Sequence, residues 1–428
     1  MEDHPPPVCT VVFHGTKSLS LLNLQRLNSS LRIRTPQETL QHAMALAPGL
    51  GITRVTDTTW LDRIGIPVFA SIRPAASPFG SLCVNAGKGL RDVEAQVGAY
   101  MEAIEFAYAE YGFSAVSMFE SSPAEIVATY NGKVNFVDFC PIAGKVVAPD
   151  DKMLAVRATD ILDGSGISLP AELVYLPLPG NFGQTIFGQT SNGLCSGNSV
   201  DEATLHGLNE LMERDVRSFN SIFDNSRLVE MDEVPVSVDE LLAKIRNAQL
   251  NLSIRYTENC FGFAYFEAFV MEHLPEAPIS IASGSGLHPI KEVALIRAVS
   301  EAAQSRLSHI HGGRDDIIDR VKYFEATGRD AEVEAIKRLR SHVESFVGAV
   351  RYSKIESYDS NILSIDDAMW LVKERLRACG VRSIARVTLT PEHLPLHVVR
   401  VVVPSLEHFK LSLPRMGPRL LSHVSKYR

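Results

Sequence analysis

Three segments of the chain repeat one arrangement of small and acidic residues. The pattern A-x6-E-x2-(E/Q) occurs at residues 95–105, 203–213 and 294–304. Residues three apart on a helix lie on the same face, so the two polar side chains of each segment point in one direction. Carboxylate oxygens are the ligands that Mg²⁺ prefers, and Mg²⁺ in proteins commonly bridges to substrate phosphates. Two such helices brought together would therefore form a magnesium site.

The first two segments supply the candidate metal ligands, which are Glu102, Glu105, Glu210 and Glu213. Two acids on one helix face repel each other unless a cation compensates. An ordinary solvated helix face is the alternative interpretation. The neighbouring residues are mostly apolar, as in YMEAIEF at 100–106, which favours an internal site. Spacing alone leaves both interpretations open.

Long helices must hold these acids in place. The sequence predicts helices at about 91–111, from 199 onward, and at about 289–310. A shorter helix should begin after Thr35, because proline follows it and Glu38 stands three positions on, as in a capping box.

Glycine-rich segments precede the three long helices, at residues 85–89, 189–198 and 283–289. We predict loops at the first two, and the third long helix is expected to start at the last. In the first two, backbone N–H groups at a helix N-terminus could hold a phosphate. Neither matches the Walker pattern G-x4-G-K-[ST], and a plain turn is the alternative.

Short strands are expected between the helices. The β-branched and aromatic runs that predict them lie around 66–72, 133–139, 173–176, 254–257 and 265–271. No low-complexity linker divides the chain, so we predict a single composite α+β unit of mixed sheets and long helices. Residues 1–30, which include a proline run, are expected to form an N-terminal arm ahead of one domain at 31–428.

The composition excludes several classes of protein. The 428 residues include 50 acidic and 42 basic side chains, which gives a net charge of -8 and argues against binding to nucleic-acid backbones. The first residues lack the basic start and apolar run typical of a signal peptide, and no apolar stretch reaches the roughly 18–20 residues needed to span a membrane. A cytoplasmic protein that binds neither nucleic acid nor membrane is predicted.

Three long motifs resemble, in the same order, the signatures of the YcaO-domain family. The central one is SNGLCSGN at 191–198, followed by HGL at 206–208 and ELMERD at 210–215. The first comprises GKG at 87–89 and MEAIE at 101–105, and the last comprises AVSEAAQSR at 298–306 and GGRDD at 312–316. The resemblance covers residues from about 30 to 320 and implies a YcaO-type ATP-binding fold.

The resemblance also assigns roles. It implies that the four glutamates hold Mg²⁺ against the phosphates of ATP. The residues that would contact or lie near the nucleotide are Arg32, Thr39, Asn198, Arg214, Gln304, Arg306 and Arg314. The resemblance assigns no catalytic side chain and implies no covalent enzyme intermediate. Catalysis would depend on positioning and on charge neutralisation by Mg²⁺.

The activity implied by the resemblance is phosphorylation of a backbone amide oxygen in a ribosomally made precursor peptide, giving an azoline or a thioamide. ATP-driven peptide amide hydrolysis is an alternative outcome. The residues are also compatible with a non-catalytic YcaO-like subunit that binds peptide or partner, and with a carboxylate-metal phosphohydrolase that has no peptide substrate. The segment PRMGPR at 414–419 resembles members that work with a TfuA-type partner, although another accessory protein would also fit. A homodimer is a family expectation.

Two positions depart from the family pattern. Gly98 and Phe106 stand where serine and arginine are usual. One phosphate or metal contact is therefore expected to be lost or supplied from elsewhere.

Overall fold

The computed structural model describes residues 24–27, 29–77, 81–180, 185–312 and 328–426. The helices in this part of the chain are α1 Pro36–Leu46, α2 Asp92–Ala109, α3 Pro123–Ala128, α4 Val200–Asn220, α5 Val236–Asn247, α6 Lys291–His311, α7 Arg329–Val343, α8 Ile365–Ala378 and α9 Pro418–Ser425. The strands are β1 Gln25–Leu27, β2 Ser30–Arg32, β3 Arg54–Asp57, β4 Val68–Ile72, β5 Val84–Lys88, β6 Met118–Ser121, β7 Met153–Asp160, β8 Gly166–Pro170, β9 Leu194–Gly197, β10 Arg227–Glu230, β11 Asn251–Tyr256, β12 Ala264–Met271, β13 Ile281–His288, β14 Val350–Arg351, β15 Ala385–Thr388, β16 His397–Val402, β17 Phe409–Lys410 and β18 Leu413–Pro414.

Three sheets form the framework. One has the order β3-β4-β5, the second β13-β12-β11-β10-β14, and the third β6-β7-β15-β16-β9 with β8 paired to β7. All pairings in these sheets are antiparallel except that between β10 and β14. The ribbons β1-β2 and β17-β18 complete the described sheet structure. Mixed sheets and long helices confirm the predicted α+β fold class.

One long helix follows the edge strand of each large sheet. Strand β5 leads to α2, β9 to α4 and β13 to α6, and each helix packs against the strand that precedes it. Further contacts join α2 to β9, α4 to β13 and α6 to β5. The three strand–helix units therefore meet one another, which brings their acidic segments together.

The loop predicted at 85–89 is wrong in conformation, because residues 85–88 lie in strand β5. The loop predicted at 189–198 is wrong for residues 194–197, which form β9, and residues 283–288 of the third glycine-rich segment lie in β13. The glycines serve helix packing. A methyl group on Gly87 would lie 2.1 Å from the backbone oxygen of Ala95, and one on Gly286 would lie 2.2 Å from that of Ala294. Both alanines belong to the repeated pattern, so these positions keep helix and strand in close contact.

The strands predicted at 133–139 and 173–176 are also wrong. The first segment contains the 3₁₀ turn Phe136–Phe139, and the second begins at the last residue of the 3₁₀ turn Ala171–Leu173. Asn135 and Asp138 cap the first turn reciprocally, and local capping of this kind competes with strand pairing. The predicted helices and the strands near 66–72, 254–257 and 265–271 are confirmed.

The start of α1 is as predicted. The Thr35 side chain accepts a hydrogen bond from the backbone of Glu38, whose carboxylate in turn accepts one from the backbone N–H of Thr35. The division of the chain at residue 30 stays a prediction, since most of the proposed arm lies outside the described residues. Among the described helices, none is long and apolar enough to cross a bilayer.

Candidate functional site

A cavity of about 550 Å³ lies where the three strand–helix units meet. Its wall includes all four glutamates predicted to bind metal, namely Glu102, Glu105, Glu210 and Glu213. Five of the seven residues predicted to lie near a nucleotide also line it, and these are Arg32, Thr39, Asn198, Arg214 and Gln304. Residues from five segments of the chain, namely β2, α1, α2, α4 with its preceding residues, and α6, therefore converge on one space.

Helix α2 presents Glu102 and Glu105 to this cavity. The Glu102 carboxylate accepts a hydrogen bond from the backbone N–H of Ala86 at 2.8 Å, and Glu105 accepts one from the Ser196 hydroxyl at 2.5 Å. The pKa of Glu105 is raised to about 8, chiefly by burial, with the charges of Glu102 and Glu210 acting in the same direction and the hydrogen bond from Ser196 acting against it. The three carboxylates thus lie close enough to destabilise one another when no cation is bound.

Helix α4 presents the second pair. Glu213 accepts a hydrogen bond from the Ser285 hydroxyl at 2.7 Å and forms an ion pair with Arg214 at 3.1 Å. Burial raises the pKa of Glu210, with the Arg214 charge acting in the opposite direction. Burial alone would lower the pKa of Arg214, but the charges of Glu213, Glu301 and Glu210 outweigh it and raise that pKa. Arg214 is therefore a permanent cation beside the acids.

The oxygen-only donor set of these four glutamates fits Mg²⁺, which is bound in proteins by carboxylates and by substrate phosphates. Burial is the main cause of the raised pKa values of Glu105 and Glu210, and the positive charges nearby do not offset it. A bound divalent cation would supply further positive charge. The residues present therefore agree with a magnesium site.

A second cluster of possible ligands does not favour a metal. Single ligand atoms of Cys195, His206 and Glu210 lie within 4.8 Å of one another. The two ring nitrogens of His206, however, face the guanidinium groups of Arg32 and Arg297, each at 3.4 Å. Burial and these two positive charges keep the pKa of His206 well below its usual range. A metal ion at this imidazole would have to displace an arginine.

Another part of the cavity wall is organised around the buried carboxylate of Glu202. Glu202 accepts hydrogen bonds from the Arg32 guanidinium at 3.0 Å, the Ile33 backbone at 2.9 Å and the Asn198 backbone at 3.1 Å. The Thr39 hydroxyl in turn donates to the Asn198 side chain at 3.1 Å. These contacts join β2, α1 and the start of α4 into one polar wall.

The third acidic helix contributes Glu301 and Gln304. The Lys88 ammonium donates to the Glu301 carboxylate at 2.9 Å and to the Gln304 side-chain oxygen at 3.0 Å. Although burial would raise the pKa of Glu301, Lys88 and Arg214 lower it to about 2. Glu301 is therefore ionised and already paired.

Two predicted nucleotide contacts are not placed with the others. Arg306 is buried outside the cavity, where its guanidinium contacts Asp62 at 3.1 Å, Glu272 at 2.7 Å and the Ile279 carbonyl at 2.8 Å. With its nitrogens engaged by these partners, Arg306 supports the fold and is not proposed as a nucleotide contact. Arg314 lies outside the described residues.

The two departures from the family pattern have different surroundings. Gly98 lies against β5, where an added methyl group would come within 3.1 Å of the Gly87 Cα. Phe106 is buried and lines the cavity. The close contact between strand and helix accounts for a glycine at position 98.

Sequence reasoning missed several cavity residues, which are Lys88, Glu202, Arg297 and Glu301. Glu301 could have been included, because it occupies the first acidic position of the repeated pattern. Arg297 stands one helical turn before it, and Lys88 lies within the GKG segment. The pairing of Glu202 with Arg32 had no local signal, since 170 positions separate them.

The model of the family described as YcaO cyclodehydratase, ATP- and Mg²⁺-binding, matches residues 86–407 of this chain. The protein is therefore of a class that binds ATP and Mg²⁺. The chain belongs to the YcaO family. An uncharacterised protein of Methanothermobacter thermautotrophicus is 31% identical over 400 residues, which are 91% of this chain and 98% of the relative. Another, described as lying in the tfuA 3′ region of Rhizobium leguminosarum bv. trifolii, is 31% identical over 390 residues, 88% of each chain.

Solved structures show the same fold. YcaO from Methanopyrus kandleri, bound with AMPPCP and Mg²⁺, superposes with a TM-score of 0.68 at 23% identity, covering 91% of this chain and 96% of that chain. A heterocyclase in complex with substrate and cofactor gives a TM-score of 0.70 at 18% identity, covering 91% of this chain and 54% of that larger one.

Proposed function

We propose that this protein uses ATP and Mg²⁺ to phosphorylate a backbone amide oxygen of a ribosomally made precursor peptide. The observation that carries the proposal is the convergence of two glutamate pairs, Arg214 and Gln304 on one cavity. Such an arrangement suits phosphoryl transfer, in which positioning and charge stabilisation supply most of the catalysis. Membership of an ATP- and Mg²⁺-binding cyclodehydratase family supports the same reaction.

In this proposal the residues that line the cavity fall into groups that bind different parts of the Mg²⁺–ATP complex. The glutamates of α2 and α4 hold Mg²⁺, which supplies charge neutralisation at the phosphates when it is bound. Arg214 and Gln304 contact the phosphates, while Arg32, Thr39 and Asn198 contact the rest of the nucleotide. The peptide amide oxygen attacks the terminal phosphorus as the bond to ADP breaks. The amide oxygen thereby becomes part of a good leaving group, phosphate.

The final product depends on which nucleophile then attacks the activated carbon. A neighbouring Cys, Ser or Thr side chain of the peptide gives an azoline, whereas an external sulfur donor gives a thioamide. The C-terminal segment and the relative described from a tfuA 3′ region support thioamide formation with a TfuA-type partner. Mass spectrometry of a candidate precursor peptide treated with the protein, ATP and partner distinguishes these outcomes. Loss of water indicates an azoline, exchange of oxygen for sulfur a thioamide, and cleavage amide hydrolysis.

A non-catalytic role as a peptide- or partner-binding subunit is the second candidate. The departures at Gly98 and Phe106 are the features that would favour it. The combination of four glutamates with Arg214 and Gln304 around one cavity argues for catalysis instead.

Replacing a proposed metal ligand tests the function directly. Glu102→Gln or Glu210→Gln should reduce peptide-dependent ATP hydrolysis about 100-fold or more, because one negative ligand for Mg²⁺ is lost. The exposed Glu120, in β6, provides the matched control, and Glu120→Gln should retain wild-type turnover. ATP hydrolysis is measured with each variant after circular dichroism has shown an intact fold. Wild-type turnover in both cavity variants would refute the metal assignment.

A further inference from the structure

The third acidic helix differs from the first in the partner of its carboxylate. Glu102 and Glu105 accept hydrogen bonds from a backbone N–H and a serine hydroxyl, whereas Glu301 accepts one from the Lys88 ammonium. The second position of the pattern also differs, because Gln304 replaces a glutamate there. The first two helices thus offer a pair of carboxylates each, while α6 offers one carboxylate and one amide.

The position of Lys88 follows from the packing of β5. Gly87 lies against α2, where its lack of a side chain permits close contact. Successive side chains of a strand point to opposite faces, so the next residue, Lys88, extends away from α2. Strand β5 also packs against α6, and the lysine side chain reaches both polar residues of that helix.

Lys88 also determines how the Gln304 amide is turned. The side-chain nitrogen of Gln304 donates to the Ala86 carbonyl, and its oxygen accepts from Lys88. A primary amide has two N–H donors and two acceptor lone pairs. One donor and one lone pair therefore remain for other partners, and rotation of the amide would break both existing contacts.

The charges in this part of the cavity are balanced. The side chains of Lys88 and Glu301 are 23% and 22% exposed, so water screens their attraction only partly. Lys88 supplies a positive charge in direct contact with Glu301, and Arg214 adds a second one nearby. The Glu301 carboxylate is consequently compensated without a metal ion, unlike Glu105, whose hydrogen-bond donor is the neutral Ser196 hydroxyl.

We propose that Lys88 is a positioning residue that keeps Glu301 out of the Mg²⁺ ligand set and turns the Gln304 amide towards the phosphates of ATP. This inference rests on the proposed function and adds to it a residue that acts through Glu301 and Gln304. In this role the Lys88 ammonium is the counter-ion of the Glu301 carboxylate.

Replacement of Lys88 by methionine removes the charge and retains an unbranched chain. Lys88→Met should bind Mn²⁺, the probe for the magnesium site, about tenfold more tightly, because one positive charge leaves the cavity and Glu301 becomes available. Its kcat for peptide-dependent ATP hydrolysis should fall about tenfold, since the Gln304 amide loses its orientation. Mn²⁺ binding is measured by electron paramagnetic resonance in the absence of peptide and nucleotide.

Three further variants separate this role from a general effect on folding. Lys88→Arg keeps the charge and should retain wild-type Mn²⁺ affinity. The double variant Lys88→Met/Glu301→Gln removes both charges and should return that affinity to within about twofold of wild type. Lys133→Met breaks a lysine–carboxylate pair with Asp160 and Asp163 outside the cavity, and should change neither Mn²⁺ affinity nor kcat.

Two results would overturn the inference. In the first, Lys88→Met has the same Mn²⁺ affinity and the same kcat as Lys133→Met. In the second, the double variant still binds Mn²⁺ more tightly than the wild type. Metal binding is independent of peptide turnover, so it tests Lys88 even when no peptide is modified. A wild-type protein that binds no Mn²⁺ would instead refute the proposed function, and this inference with it.

Discussion

Two neighbouring polar residues of α6 serve different purposes. Gln304 faces the cavity, whereas Arg306, two positions on, is buried against Asp62 and Glu272. Residues two apart on a helix point in different directions, so a motif that contains both cannot assign both to one site. Whether a side chain of this motif reaches the cavity depends on the side of the helix from which it projects.

Replacement of Arg306 should therefore affect stability and not nucleotide binding. Arg306→Ala leaves two carboxylates without their common partner, and the free energy of unfolding should fall by about 3 kcal/mol. The KM for ATP should stay at the wild-type value in the folded fraction. Urea denaturation and steady-state kinetics measure the two effects, with Arg214→Ala as the comparison that should raise KM. An Arg306→Ala protein of unchanged stability and raised KM would restore Arg306 to the nucleotide site.

At the scale of elements, the site depends on the contact between each edge strand and the helix that follows it. Gly87 and Gly286 permit this contact at the alanine positions of the repeated pattern. Gly197 has the same role, because a methyl group there would lie 2.6 Å from the backbone nitrogen of Ala203. The spacing from alanine to acid is thus the same in the three helices because each helix packs in the same way against the strand that precedes it.

A methyl group at Gly87 tests the packing. Gly87→Ala forces β5 and α2 apart, and overpacking of this kind should lower the free energy of unfolding by about 1–3 kcal/mol. Mn²⁺ affinity should also fall, because Glu102 and Glu105 move with α2. Gly49→Ala is the matched control, since nothing lies within 4 Å of its added carbon. Thermal unfolding together with Mn²⁺ titration measures both effects, and identical behaviour of the two variants would contradict the packing role.

At the scale of the whole molecule, buried titratable groups act on stability in opposite directions. The pKa of Glu105 rises from 4.5 to about 8, so without Mg²⁺ the folded protein binds more protons than the unfolded chain in this interval. This group therefore makes the protein less stable as pH rises. Burial and nearby arginines hold the pKa of His408 well below its usual 6.5, so this histidine acts in the opposite sense.

The contribution of His408 to the pH dependence of stability can be measured by comparing the wild type with a variant that lacks this histidine. Its ring contacts the side chains of Asn192 at 2.9 Å and Thr190 at 3.3 Å, and it remains neutral when folded. Below pH 6.5 the unfolded histidine binds a proton that the folded one does not, so folding is disfavoured. Between pH 7.5 and 5.5 the wild type should lose about 1.4 kcal/mol relative to His408→Gln. Urea denaturation at both pH values measures this difference, and an equal pH dependence of the two proteins would exclude the assignment.

The sequence predicts the long helices and the acidic pairs well because both depend on local spacing. It predicts β5, β9 and β13 poorly, since glycines within a strand have the same local signature as a loop. Glycine is required at these positions because a helix packs closely against the strand. Gly87, for example, contacts Ala95, which lies eight positions further along the chain, so the sequence next to the glycine does not reveal the contact. The pairs formed by Arg32 with Glu202 and by Lys88 with Glu301 join distant segments, so only the folded chain reveals them.

The glycine–alanine contacts also limit how the chain can vary in length. Each alanine precedes the first acid of its helix by seven residues, which corresponds to a rise of about 10.5 Å. One inserted residue within that stretch would rotate the following carboxylates by about 100° about the helix axis and turn them away from the cavity. Insertions and deletions that precede the glycines or follow the acids therefore leave the direction of the carboxylates unchanged. Between the glycine and the acids of each helix, the number of residues must stay constant.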